Sequence, residues 1–180
     1  MATRLYTYGN PKTVIKQNEW LPGRFATAHG VNLNVQAVKA PSLAIEYGEL
    51  VKLVSNGLDA NAYSVERVAA GVTKFGVIIR TVDGQISLED GFIERPRSNN
   101  TLSVYPLSAP NYFVVAVPII ASQSVTIGSQ VYACIVSGSE GAVQATNTNS
   151  AITLTGWEFA SKPYKPTSSA TEVVLIKKTV

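Results

Sequence analysis

From about Thr27 onward the sequence is a succession of short apolar runs, each closed by Gly, Pro, Asn or Asp after roughly 8–15 residues. The runs are 31-VNLNVQAV-38, 49-ELVKLVS-55, 62-AYSVERVA-69, 74-KFGVIIRTV-82, 85-QISLEDGFIE-94, 101-TLSVYPL-107, 112-YFVVAV-117, 124-SVTIG-128, 129-SQVYACIV-136, 142-AVQAT-146, 151-AITLTGWEFAS-161 and 171-TEVVLIKKT-179. No stretch keeps a helical stripe beyond about three turns, which argues against dinucleotide-binding and TIM-barrel architectures. Val, Thr and Ile supply 49 of the 180 residues. Branching at Cβ stiffens these side chains and suits them to a pleated surface. The pattern predicts an all-β fold, an antiparallel β-barrel or sandwich over residues 27–180, preceded by an extended N-terminal arm at 1–26. Two-residue phase places Val77, Ile79, Val115, Val117, Val131, Ile135, Ile152 and Val174 inward. Asp83-Gly84 is expected to form a tight turn, because glycine tolerates positive φ.

Charge is sparse and unevenly spread. Charged residues make up 15% of the chain, against about a quarter in an ordinary soluble domain, and the net charge is +3. Between Ser98 and Ser161 there is no Lys or Arg, and the acids are Glu140 and Glu158. Such a stretch cannot clothe itself in a solvated charged surface. It belongs to a core or faces another protein.

The chemistry-bearing residues are few. Cys134 is the single cysteine and His29 the single histidine, so neither a disulfide framework nor a polyhistidine metal centre can be built. Nucleophilic catalysis needs a base beside the nucleophile. His29, in 26-ATAHG-30, reads as a structural histidine at the junction of arm and domain. Cys134 lies in 131-VYACIV-136, apolar on both faces, and reads as a small buried hydrophobe. Glu89 and Asp90 are adjacent, so from a regular strand they point to opposite faces and cannot share one substrate; with Glu94 in another phase, they read as a solvated turn. Glu46 and Glu49 flank a Tyr-Gly pair as turn acids. No calcium, zinc or nucleotide-phosphate motif is present. The expectation is a non-enzyme without cofactor, catalytic or metal site; a carbohydrate-binding or hydrolytic β-protein is the alternative that convergence of these carboxylates would favour. Arg80, Arg95, Arg97, Lys162 and Lys165 form no basic run with interleaved aromatics, which argues against nucleic acid. No apolar run is long enough to cross a bilayer or act as a signal peptide, so no membrane partner is expected and the chain is read as made in a cytoplasm.

The arm is rich in anchors. It carries Tyr6, Tyr8, Trp20 and Phe25, with Lys12, Lys16 and Arg24 between them. Aromatics flanked by charge are the usual composition of interface hot spots. Twenty-six extended residues reach up to about 85 Å. These seven residues are the candidate protein interface, lying on a neighbouring subunit or packed on their own domain.

Taken in order, several segments resemble a known family. They are 43-LAIEYGELVKLV-54, 75-FGVIIRTVDG-84, 101-TLSVYPLSAPNYFVVAV-117 as a central hairpin, 124-SVTIGSQVYACIVSG-138, 151-AITLTGWEFASKP-163 and 173-VVLIKK-178. The chain is similar in these to the structural cement, or head decoration, proteins of tailed bacteriophages. The resemblance implies a protein on the outer surface of the virion capsid that stabilises the shell by cementing major capsid protein subunits. It also implies a dimer or trimer and no cofactor. A tail-tube, baseplate or adhesin module is the alternative within the same class.

Overall fold

Strands form where β-branched and aromatic residues run together, and the chain turns where glycine or a short polar residue takes positive φ. A computed structural model of the protein describes residues 21–28, 36–39, 45–55, 63–79, 101–108, 113–166 and 171–179. Eleven strands lie among them: β1 (Phe25–Ala28), β2 (Gln36–Lys39), β3 (Leu50–Ser55), β4 (Tyr63–Arg67), β5 (Phe75–Ile78), β6 (Thr101–Pro106), β7 (Phe113–Pro118), β8 (Gln130–Ala133), β9 (Val143–Gln144), β10 (Ile152–Phe159) and β11 (Val173–Lys178). They make a six-stranded sheet, β1-β7-β11-β10-β8-β9, and a five-stranded sheet, β2-β6-β5-β3-β4, with every ladder antiparallel.

Both sheets curl. β2 and β4, at opposite ends of the smaller sheet, come close to each other. In the larger sheet, Ile119 just past β7 forms a single parallel bridge to Val143 of β9. Among the described residues no ladder closes either sheet. Of the two expected architectures, the fold is therefore the sandwich-like one, and not a closed barrel.

The main core lies between the sheets. Leu50, Val77, Ile79 and Tyr105 from one side meet Phe113, Val115, Val117, Val131, Phe159, Val174 and Ile176 from the other. Burying each such aliphatic or aromatic side chain contributes about 1.5–3 kcal/mol. Of the eight residues expected inward, Val77, Ile79, Val115, Val117, Val131 and Val174 are buried, and Ile135 and Ile152 pack half-buried against the same cluster. Phe113 holds the centre, edge-to-face with Tyr105 at 4.5 Å and with Trp157 at 4.9 Å. The sheets are also apolar on their other faces: Val51, Leu53, Val65, Ile78 and Val104 cluster with Ile45 and Tyr47, and Val114, Ala116, Val173 and Leu175 with Ala160 and Tyr164. Fully covered strands of this kind read as unbroken apolar runs, as 113-FVVAVP-118 does.

Three expectations are corrected. The segments 101–107 and 112–117 are not a hairpin: β6 pairs with β2 and β5, whereas β7 pairs with β1 and β11. The connection crosses between sheets, so Tyr105 and Phe113 face each other through the core instead of lying side by side. Ser124–Gly128 is not a strand. Ser129 donates both its N–H and its hydroxyl to the Thr126 carbonyl, at 3.1 and 2.7 Å, and Gly128 has φ +85°, which makes a turn. β8 ends at Ala133, short of Val136, because Cys134 leaves the β10 ladder and bonds through its N–H to the Ala142 carbonyl at 2.9 Å. The Asp83-Gly84 turn, the run 85–94 and residues 31–35 lie outside the described residues.

Candidate functional site

The arm candidates divide at Leu21. Tyr6, Tyr8, Lys12, Lys16 and Trp20 lie outside the described residues. Arg24 leads into β1 and Phe25 is its first residue, and β1 pairs with β7 in the register Phe25↔Val115. The backbone there is fixed. Gly23 N–H donates to the Ala116 carbonyl at 2.8 Å, and Ala116 N–H donates to the Arg24 carbonyl at 2.9 Å. Leu21, Pro22 and Gly23 are buried and Arg24 is half-buried. Residues 21–24 are therefore held at a defined place beside β7.

That segment is packed closely against the turn at 46–49. A Cβ on Gly48, φ +83°, would meet Gly23 N at 2.7 Å and Pro22 Cβ at 2.8 Å. Hydrogen is the only side chain this contact admits. Gly48 N–H donates to the Ile78 carbonyl at 2.7 Å, while Leu50 N–H donates to the Gly141 carbonyl at 2.8 Å. One turn of the smaller sheet thus touches both residues 22–23 and the β8–β9 connection of the larger. Glu46 and Glu49 serve that turn, with Glu46 N–H donating to Glu49 Oε2 at 3.0 Å. They are turn acids. Glu89, Asp90 and Glu94 lie outside the described residues, as do His29, Arg80, Arg95 and Arg97.

The charge-poor stretch carries its two acids in pairs. Glu158 meets Lys177 across the β10–β11 ladder at 2.6 Å, and Glu140 lies 3.7 Å from Arg67 of β4. Both bases come from outside the stretch. Cys134 is fully buried, and its Sγ accepts the Val136 N–H at 3.3 Å. Among the described residues no group of three or more His, Cys, Asp or Glu side chains is placed to hold a metal. Lys162 and Lys165 are exposed in the segment between β10 and β11.

A feature that strand periodicity does not show is a pair of uncharged loops, 121-ASQSVTIG-128 and 145-ATNTNS-150. Gln123 Oε1 accepts the Ala145 N–H at 3.2 Å and joins them. Gln144, 2% exposed, donates its amide to the carbonyls of Thr146 and Thr148 at 2.7 and 2.9 Å and lies 3.2 Å from Thr148 Oγ1, which fixes the second loop from beneath. Among the described residues, the non-glycine residues with positive φ are Ser122, Asn149 and Ser150, all in this pair. The sequence signal was the clustering of Ser, Thr and Asn without charge, which reads equally as ordinary loop.

No protein-family model matches the chain, and no curated protein matches it. Among solved structures, a chain of the capsid of Myoviridae phage XM1 is similar, with a TM-score of 0.57 and 19% identity over 94% of this chain and 96% of that one. The two share a fold across nearly their whole lengths.

Proposed function

We propose that this protein is a structural component of a tailed-phage virion, bound to the outside of the assembled capsid, where it holds neighbouring major capsid protein subunits together. The observation that carries this reading is the shared fold with a chain from a phage capsid, which extends over 94% of the present chain. The residue content supports it: a charge-poor 64-residue stretch, an aromatic and basic arm, and an arm root pinned to β7. In this reading Trp20 and Phe25 are apolar anchors, Tyr6 and Tyr8 lie farther out, and Lys12, Lys16 and Arg24 meet acids on the capsid. The protein works as a small oligomer, dimer or trimer, without catalysis or cofactor.

A cement acts by mass action. Binding the assembled shell and not its loose subunits stabilises the shell by RT ln(1 + [L]/Kd), about 2.7 kcal/mol at a hundredfold excess over Kd. The test is co-sedimentation of the purified protein with preformed shells and with unassembled capsid subunits. Binding to shells with a raised rupture temperature is expected. Self-assembly into tubes or rings without shell binding would instead assign the chain to a tail structure.

A further inference from the structure

We infer that β1, β7 and β11 form a mechanical joint: tension between Arg24, at the head of β1, and Thr179, at the tail of β11, pulls the two flanks of β7 in opposite directions along the strands. The inference deepens the cementing reading, on which its use rests, because a protein that holds neighbouring subunits together is stretched when they separate.

Register sets the geometry. Val115 is the partner of Phe25 on one side and of Ile176 on the other, and Val114 is the partner of Thr27 and of Lys177. Both ladders are antiparallel, so β1 and β11 run in the same direction on either side of β7. Gly23 and Arg24 bond to Ala116, toward one end of β7, whereas Thr179 lies past Lys178, toward the other. Pulling residues 24 and 179 apart therefore draws each outer strand along its own length. The hydrogen bonds of a ladder then share the force and must fail together. Pulling both strands of a ladder from the same end loads its bonds one after another.

The joint is also covered. A Cβ on Gly48 would stand 2.7 Å from Gly23 N and 3.1 Å from the Ala116 carbonyl oxygen, so the 46–49 turn lies over both ends of the Gly23–Ala116 bond. Val115, Ala116 and Ile176 are fully buried. A hydrogen bond enclosed in this way is electrostatically stronger than one in water, and no water stands ready to replace it as it stretches. β11 is held on its far flank as well. Ala160 N–H donates to the Leu175 carbonyl and Thr179 N–H to the Gly156 carbonyl, both at 2.8 Å, and Lys177 meets Glu158 at 2.6 Å. Among the described residues β1 pairs with β7 alone, which makes β1–β7 the ladder that yields first.

Single-molecule force spectroscopy of the full chain, with thiol handles at two pairs of positions, tests this without any shell. Arg24→Cys with Thr179→Cys draws β1 and β11 past each other. Arg24→Cys with Ala121→Cys opens the β1–β7 ladder from one end, because residue 121 follows the end of β7 that lies toward Gly23. Ala121 and Thr179 are exposed, and Cys134 is fully buried and takes no handle. At equal loading rate the first pair is expected to need at least about twice the force of the second, since forced unfolding reports the rate of barrier crossing and not the stability that both variants share. Both should melt like the wild type. If Arg24→Cys fails to fold, a handle fused ahead of Met1 takes its place in both pairs. A first-pair force less than twice that of the second overturns the inference. That result leaves shell binding standing, because shell binding is read separately by co-sedimentation.

Discussion

Arg67 Nη1 in β4 lies 3.7 Å from Glu140 Oε2 in the β8–β9 connection, an ionic contact from the edge of one sheet to a loop of the other. Beside it, Leu50 N–H donates to the Gly141 carbonyl at 2.8 Å. The two tie the same parts, but they differ in kind. The ion pair is partly solvated, whereas the backbone bond is enclosed at the end of β3. Arg67→Ala should therefore lose less than about 1 kcal/mol of ionic stabilisation, and high salt should narrow the difference from wild type. Urea unfolding of wild type and variant at two salt concentrations checks it.

Gly48→Ala should be far more damaging. Positive φ costs an L-residue about 1–2 kcal/mol, and a methyl 2.7 Å from Gly23 N adds overpacking of about 1–3 kcal/mol. Gly71, φ +79°, has open space around its would-be Cβ, so Gly71→Ala should carry the strain alone. A denaturant midpoint for Gly48→Ala no lower than that for Gly71→Ala would refute the close packing of the 46–49 turn on Pro22 and Gly23.

Gln144→Ala removes the donor beneath the 145–150 loop and leaves a cavity at a fully covered position. A loss of about 1–3 kcal/mol is expected. Hydrogen exchange should quicken first at Thr148 and Ala151, whose N–H groups bond within the loop. Uniform quickening across the larger sheet would show instead that Gln144 supports the core as a whole.

Where alternation is unbroken, sequence and structure agree residue by residue, as at Val115, Val117 and Val174. β10 shows why agreement ends. Leu154 points inward, yet the next inward residue is Trp157, because Gly156 at φ +79° makes an irregularity and the β8 register shifts between Thr153 and Glu158. The Gln130 amide serves the freed carbonyls of Leu154 and Trp157 at 2.7 and 3.1 Å. A glutamine on a neighbouring strand gives periodicity no warning of that role. The pairing of β6 and β7 was illegible for another reason: a short link such as 108-SAPN-111 joins strands within a sheet or across a sandwich equally well, and the sequence does not show the Tyr105–Phe113–Trp157 packing. The uncharged loops were visible only as composition, since their order comes from Gln123, Gln144 and Glu172, which are distant in sequence from parts of what they hold.

Deleting residues 1–19 cuts the chain before the hydrogen-bonded root at Leu21–Arg24. The truncated protein should stay folded, with a melting curve close to that of the full chain. Its affinity for capsids should fall at least tenfold, equivalent to about 1.4 kcal/mol. A well-folded truncation that binds as tightly as the full chain would remove Tyr6, Tyr8, Lys12 and Lys16 from the interface.

The most direct measurement of capsid cementing is a cryo-electron-microscopy difference map between particles carrying this protein and particles lacking it. The proposal predicts added density on the outer capsid surface, across seams between neighbouring major capsid protein subunits, into which the two curled sheets fit. Particles lacking that density should rupture at lower temperature. Density confined to the tail or baseplate, or absent from the particle altogether, would contradict it.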